Sequence, residues 1–170
     1  MSQNIGGFNT QYGSNSLINN TSGSRNSAFG YDALKSNTDG YYNCAMGDAT
    51  LSANTSGHHN VAIGNTSQIL NTIGIANTSI GTDSLTANIT GFFNTCVGNR
   101  SWYSITANFN TCLGHGANVL NNCSYSTAVG VYATCTENHQ IKIGTSDEKV
   151  YIPGSCFLGT NGGTTTQLSV

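Results

Sequence analysis

A chain of 170 residues with 7% charged side chains, 21 glycines, one proline and a formal net charge of -2 reads as one domain poor in ionic chemistry. It has no basic patch to neutralise phosphates, which argues against a nucleic-acid partner. Its apolar runs are only a few residues long, which argues against membrane insertion.

The opening stretch, MSQNIGGFNT, lacks a charged region followed by an apolar one, so it does not read as a secretory signal. Residues 1–8 are taken as a lead-in. From Asn9 a unit of 17 residues repeats. Its tightest part is Asn-x-small-apolar-Gly: NTQYG from Asn9, NSAFG from Asn26, NCAMG from Asn43, NVAIG from Asn60, NTSIG from Asn77 and NTCVG from Asn94. The spacing then slips by one, with NTCLG from Asn110 and STAVG from Ser126. Eight units therefore fill residues 9–136. A leucine recurs at position 9 of the unit, as Leu17, Leu34, Leu51 and Leu85, with Gln68, Trp102 and Val119 in other copies. An Asn-Thr-x-Gly turn follows, as in Asn20–Gly23, Asn37–Gly40 and Asn54–Gly57. Asn and Gly tolerate positive φ, so each unit reverses direction there.

Seventeen residues with two apolar spots and two turns are too few for a helix pair. The pattern predicts an all-β fold with two short strands per unit, one over Asn-x-small-apolar and one around the leucine. Units then stack as parallel coils of a β-roll or β-solenoid, ~4.8 Å apart, to give a rod of about 40 Å. Asparagines in register can form amide ladders along it. Successive strand residues point to opposite faces. The large residues at position 4 (Phe29, Met46, Ile63, Ile80, Val97, Leu113, Val129) are expected to fill the coil core with Leu34, Leu51 and Leu85. The small residues at position 3 (Ala28, Ala45, Ala62, Ser79, Cys96, Cys112, Ala128) then face outward as a smooth strip. Such a strip needs a close neighbour, and three rods around one axis would bury it. The expected assembly is thus a homotrimer with position 3 as its interface.

Cys96 and Cys112 share that slot in neighbouring units. They read either as small buried residues or as a disulfide between rungs, since the rung spacing falls inside the allowed Cα range. No C-x-x-C pair supports a structural zinc site, and no cofactor is expected. The turn acids Asp32 and Asp83 share a slot three coils apart, near ~14 Å, too far for a catalytic pair within one chain. Tyr41 and Tyr42, His58 and His59, and Phe92 and Phe93 occupy one slot. Together they form a candidate ligand-contacting aromatic column along one edge. His115 and His139 read as isolated. Thr21, Thr38, Thr55 and Thr72 form one ladder, a feature that ice-binding solenoids also use. The closing segment, residues 137–170, carries five of the twelve charges. In it Ile141-Lys142-Ile143 and Val150-Tyr151-Ile152 predict two strands around a turn, a small polar β cap of the kind a solenoid needs.

The Asn-x-small-apolar-Gly motif, the leucine spot and Asn-Thr-x-Gly together resemble the head repeats of trimeric autotransporter adhesins. They resemble still more the repeats in fibre and tail-fibre proteins of large DNA viruses and phages. The resemblance covers about residues 9–136, and NHQIKIGTSDEKVYIPGS is similar to segments that end such viral arrays. It implies a trimer of parallel coils, left-handed in the bacterial heads. Without a heptad stalk or membrane barrel, the viral or phage comparison is the better match. The expectation is a structural fibre module, not an enzyme, on a virion or extracellular surface. Its partners would be its own copies and a host-surface glycan or protein. The alternatives are a self-assembling filament or capsid-associated protein without receptor binding and, further off, an ice-binding solenoid.

Overall fold

The computed structural model describes residues 7–102, 106–120 and 123–153. Among these residues there is no helix. The chain winds as a parallel β-solenoid of about eight turns. Each turn contributes one three-residue strand to a single long sheet: β1 (Thr10–Tyr12), β2 (Ser27–Phe29), β3 (Cys44–Met46), β4 (Val61–Ile63), β5 (Thr78–Ile80), β6 (Thr95–Val97) and β7 (Thr111–Leu113). β8 (Asn118–Val119) and β10 (Thr134–Cys135) form a second, two-stranded sheet. β9 (Thr127–Val129) and β11 (Ile141–Ile143) complete the first, in the order β1-β2-β3-β4-β5-β6-β7-β9-β11.

Register follows the repeat. Ser27, Ala28 and Phe29 pair with Cys44, Ala45 and Met46, and the same offset runs up to Thr78 against Thr95. The later turns are shorter, with Thr95 beside Thr111 and Thr127 beside Ile141. A parallel ladder needs equivalent residues at equal height, not equal coil lengths. The turns absorb the lost residues. The glycine after each strand lets the coils close up: Gly47 sits at φ 136°, and a Cβ there would lie 2.6 Å from the Gly64 carbonyl oxygen.

Two expectations about the repeat are corrected. The first concerns which face of the strand points inward. Ala28, Ala45, Ala62, Ser79, Cys96, Cys112 and Ala128, assigned to an outward strip, are fully buried inside the coil. Phe29, Met46, Ile80, Val97 and Leu113, assigned to the core, lie on the outer sheet face at 36–46% exposure, and Ile63 and Val129 beside them are part-exposed. The cause is the narrowness of the coil. Ser79 Oγ donates to the Ser84 carbonyl across the coil at 2.9 Å, so a single hydroxyl spans the gap. The leucines already fill that space, and only methyl, hydroxyl or thiol groups fit opposite them. Leu34, Leu51 and Leu85 are themselves fully buried.

The second correction concerns the leucine segment, which is a turn and not a strand through the early coils. Leu17, Leu34, Leu51, Gln68, Leu85 and Trp102 all adopt left-handed backbone, φ 50–57°. Their N–H groups still reach the next coil, as Leu34 does to the Thr50 carbonyl at 3.0 Å. Where Val119 takes the slot, the backbone is extended and forms β8, consistent with the steric cost of left-handed backbone at a β-branched residue.

Two asparagine ladders hold the coils together. In the first, each side chain at position 1 accepts the N–H of its successor: Asn43 Oδ1 takes it from Asn60 at 3.0 Å, and Asn60 Oδ1 takes it from Asn77 at 3.0 Å. Its Nδ2 donates across the turn, as Asn60 does to the Gly74 carbonyl at 2.8 Å. In the second, Asn37, Asn54, Asn71 and Asn88 each donate Nδ2 to the previous asparagine's Oδ1 at 2.8–3.0 Å. These amides are buried and would be costly if unpaired. The repeat supplies that partner from rung to rung as far as Asn88, whose Nδ2 is bonded but whose Oδ1 has no donor.

The apolar interior falls into two clusters. One joins Leu17, Leu34 and Leu51 with Ala28, Ala33, Ala45 and Ala62. The other joins Leu85, Trp102 and Val119 with Cys96, Cys112, Cys123 and Cys135 and four alanines. Between them lie Gln68 and a hydroxyl group of Ser67, Ser79, Ser84 and Ser101. At the C-terminal end β11 continues the long sheet on β9. Val150-Tyr151-Ile152, expected as a strand, are exposed and in none. Residues 154–170 of the proposed cap lie outside the described residues, as do residues 1–6 of the lead-in.

Candidate functional site: a stacked aromatic edge

The last residue of each coil, just before the residue that anchors the next strand, again has left-handed backbone: Arg25, Tyr42, His59, Ala76, Phe93, Phe109, Tyr125 and His139, φ 55–59° apart from Tyr42 at 54°. The N–H of each donates to the coil before, as Tyr42 does to the Ser24 carbonyl and His59 to the Tyr41 carbonyl, both at 3.0 Å. That bond fixes every side chain at the same angular position around the rod. The rings therefore meet face to face. Tyr42 stacks on His59 at 4.9 Å between centroids, Phe93 on Phe109 at 5.2 Å, Phe109 on Tyr125 at 4.8 Å and Tyr125 on His139 at 4.9 Å, with interplanar angles of 8–27°. The Arg25 guanidinium extends the column, lying 5.3 Å from the Tyr42 ring centre and 5.5 Å from that of Phe8. A second, shorter column runs beside it, where Tyr41 stacks on His58 at 4.4 Å.

All six residues expected in the column are on this edge. Tyr41 and Tyr42 adjoin His58 and His59, whereas Phe92 and Phe93 stand two coils beyond the histidines, past Ile75 and Ala76. Phe109, Tyr125, His139 and Arg25 belong to the column too and were not expected there. Arg25 stands one full period before Tyr42 but carries no ring. The other three are hidden from a fixed period because the coils after Asn94 are one to three residues shorter. Counting back one residue from each strand anchor (Asn26, Asn110, Ser126, Gln140) finds all of them. His139 and His115 are not isolated. His139 stacks on Tyr125, and His115 Nε2 lies 3.1 Å from the Tyr132 hydroxyl. Stacking occupies the ring faces and leaves mainly edges and polar tips toward solvent. Burial and the neighbouring His59 hold the His58 pKa below its ordinary value.

The remaining candidates are occupied locally. Asp32 accepts from Asn15 Nδ2 at 2.8 Å and pairs with Lys35 at 2.9 Å. The Lys35 contact first, and the Asn15 bond second, lower its pKa. Asp83 accepts from Thr66 Oγ1 and lies 3.6 Å from Arg100. A shallow recess beside it is lined by Asp83, Thr86, Arg100 and Trp102. The hydroxyls of Thr21, Thr38, Thr55 and Thr72 donate to carbonyls of the next coil at 2.9–3.2 Å. They knit the rod rather than standing free as a flat hydroxyl row. Cys96 and Cys112 pair in register as free thiols, both fully buried. Burial, then the Cys112 thiol, pushes the Cys96 pKa well above its ordinary value. Among the described residues no three His, Cys, Asp or Glu side chains gather as a metal site. Compared with known proteins, the chain matches no protein-family model and no curated sequence.

Proposed function

We propose that this chain is a structural module of a fibre on a virion or cell surface, a stiff trimeric rod whose aromatic edge contacts a host glycan or protein. The observation that carries the reading is the outer face of the long sheet. One apolar side chain from each strand forms an unbroken row: Tyr12, Phe29, Met46, Ile63, Ile80, Val97, Leu113, Val129 and Ile143. Over nine strands the row is about 38 Å long. Beside it on the same face runs a column of mostly small or β-branched residues, among them Thr78, Thr95, Thr111 and Thr127. A long straight apolar row on a chain with so few charges favours burial against a like surface. The trimer contact is therefore assigned to position 4 and not to the small residues of position 3. The role is architectural, because a regular repeat does not readily bring unlike reactive groups into one pocket. Contacts made three times over by a trimer would add as avidity.

Sedimentation equilibrium at micromolar concentration tests the assembly, with three chain masses expected. Glycan-array and cell-binding assays then compare the trimer with a variant in which Tyr41, Tyr42, His58, His59, Phe92 and Phe93 become Ser or Asn. Equal binding by both would remove the aromatic edge from the reading. A monomer at that concentration would remove the trimer.

A further inference from the structure

The aromatic column lacks one ring. At Ala76 the backbone is the same as at its neighbours: φ is 55°, against 58° at His59 and 57° at Phe93, and its N–H donates to the His58 carbonyl at 3.0 Å. Only the side chain is short. His59 and Phe93 are therefore next neighbours in the column, two rungs apart, or about 9.6 Å. Adjacent rings elsewhere in this column stand 4.8–5.2 Å apart. One more ring placed midway would meet both walls at about 4.8 Å, inside the range that aromatic pairs prefer. Phe93, next to the gap, is 53% exposed, whereas Phe109, sandwiched between two rings, is 41% exposed. The part-exposed methyl of Ala76 floors the notch, and the apolar side chain of Ile75 flanks it in the same coil.

We propose that this notch, between the faces of His59 and Phe93, binds a single flat aromatic group, supplied by an aromatic side chain of a partner polypeptide. Its floor and flank are a methyl and an isoleucine, which offer nothing to the hydroxyls of a sugar ring. The chain has only five lysines and arginines and a formal charge of -2, so a phosphate-bearing nucleotide would gain no ion pair in return for entering. A tyrosyl, phenylalanyl or tryptophyl ring needs only two faces and an apolar floor. The site requires neither the trimer nor a host surface and stands apart from that proposal.

The test is a methyl NMR titration of the full chain, labelled at alanine and isoleucine methyls. N-acetyl-tyrosinamide is the probe, and N-acetyl-leucinamide and adenosine are comparison arms. The expected result is a saturable shift confined to the Ala76 and Ile75 methyls with the tyrosine probe and absent with the leucine one. Ala76→Phe fills the notch with its own ring, and its backbone already suits an aromatic residue, so the Ile75 shift should vanish. Ala76→Ser keeps the notch open and should retain it. Phe93→Ala removes one wall and should weaken the apparent affinity several-fold. Unmoved methyls in the unaltered chain would overturn the proposal. So would an equal response to the leucine probe, or an Ile75 shift that persists in a folded Ala76→Phe. A stronger response to adenosine would overturn the assignment to a polypeptide side chain.

Discussion

Gln68 occupies the slot that Leu17, Leu34, Leu51 and Leu85 fill in other coils, and it is fully buried. Its Nε2 donates to the Val61 carbonyl at 3.1 Å, while its Oε1 has no donor. The two apolar clusters meet on either side of it. Its φ of 51° equals that of Leu34 and Leu51, so Gln68→Leu places a leucine on backbone that leucine already adopts. Removing a buried acceptor without a partner relieves about 1–3 kcal/mol, and losing the Nε2 bond returns about 0.5–1.5 kcal/mol. Exchanging an amide for an isobutyl end adds about 1–2 kcal/mol of apolar burial. The expected balance is a stabilisation of about 2 kcal/mol. For a chain of this length that raises the melting midpoint by roughly 4–8 °C. Far-UV circular dichroism, in thermal melts and urea titrations, measures it. An unchanged or lowered midpoint would refute the view that Gln68 interrupts an otherwise leucine-filled core.

Asn60→Ala removes the acceptor of the Asn77 N–H and the 2.8 Å donor to the Gly74 carbonyl. It should cost about 2–5 kcal/mol in urea denaturation, and a loss below about 1 kcal/mol would show that the ladder is not a main support. Ala62→Phe, at a fully buried site, should overpack the coil and abolish the β-type spectrum. Ile80→Asp, on the exposed row, should keep that spectrum but shift sedimentation from three chain masses to one. The reverse pattern would restore the opposite facing of the strand. For pH, His58 has a folded pKa held below its ordinary 6.5 by burial and by His59. The fold therefore favours the neutral ring. Stability should be full above pH 6.5 and decline as the pH falls through that value and on through the lower folded pKa. His58→Tyr, which copies Tyr41 of the previous coil, should flatten that part of the stability curve. An identical decline in both proteins would assign it to another group.

Much of the architecture was legible because a repeat states its own register. Once Asn9, Asn26 and Asn43 are aligned, Ala28 must lie beside Ala45, and a buried asparagine must meet another one rung away. The parallel sheet and the amide ladders follow without knowledge of the coil's cross-section. The aromatic edge was legible in part for the same reason. Phe109, Tyr125 and His139 escaped because the later coils drop residues in their turns, which shifts the count while leaving the strands in register.

The sequence by itself determined the period, the strand that follows each anchoring residue, the pairing of like with like and the alternation of large and small along that strand. Only the tertiary structure decided the sign of that alternation. Strand geometry sends neighbours to opposite faces but does not say which face is inside. That depends on the wall opposite, where Leu17, Leu34 and Leu51 leave room for Ala28, Ala45 and Ala62 but not for Phe29 or Met46. The same closure decided the left-handed backbone at the leucines and at Tyr42, His59 and Phe93, which no intrinsic preference of those residues favours. The energy that holds it there is non-local, from bonds to the next coil and rings stacked across rungs, and it exists only once the coils are stacked.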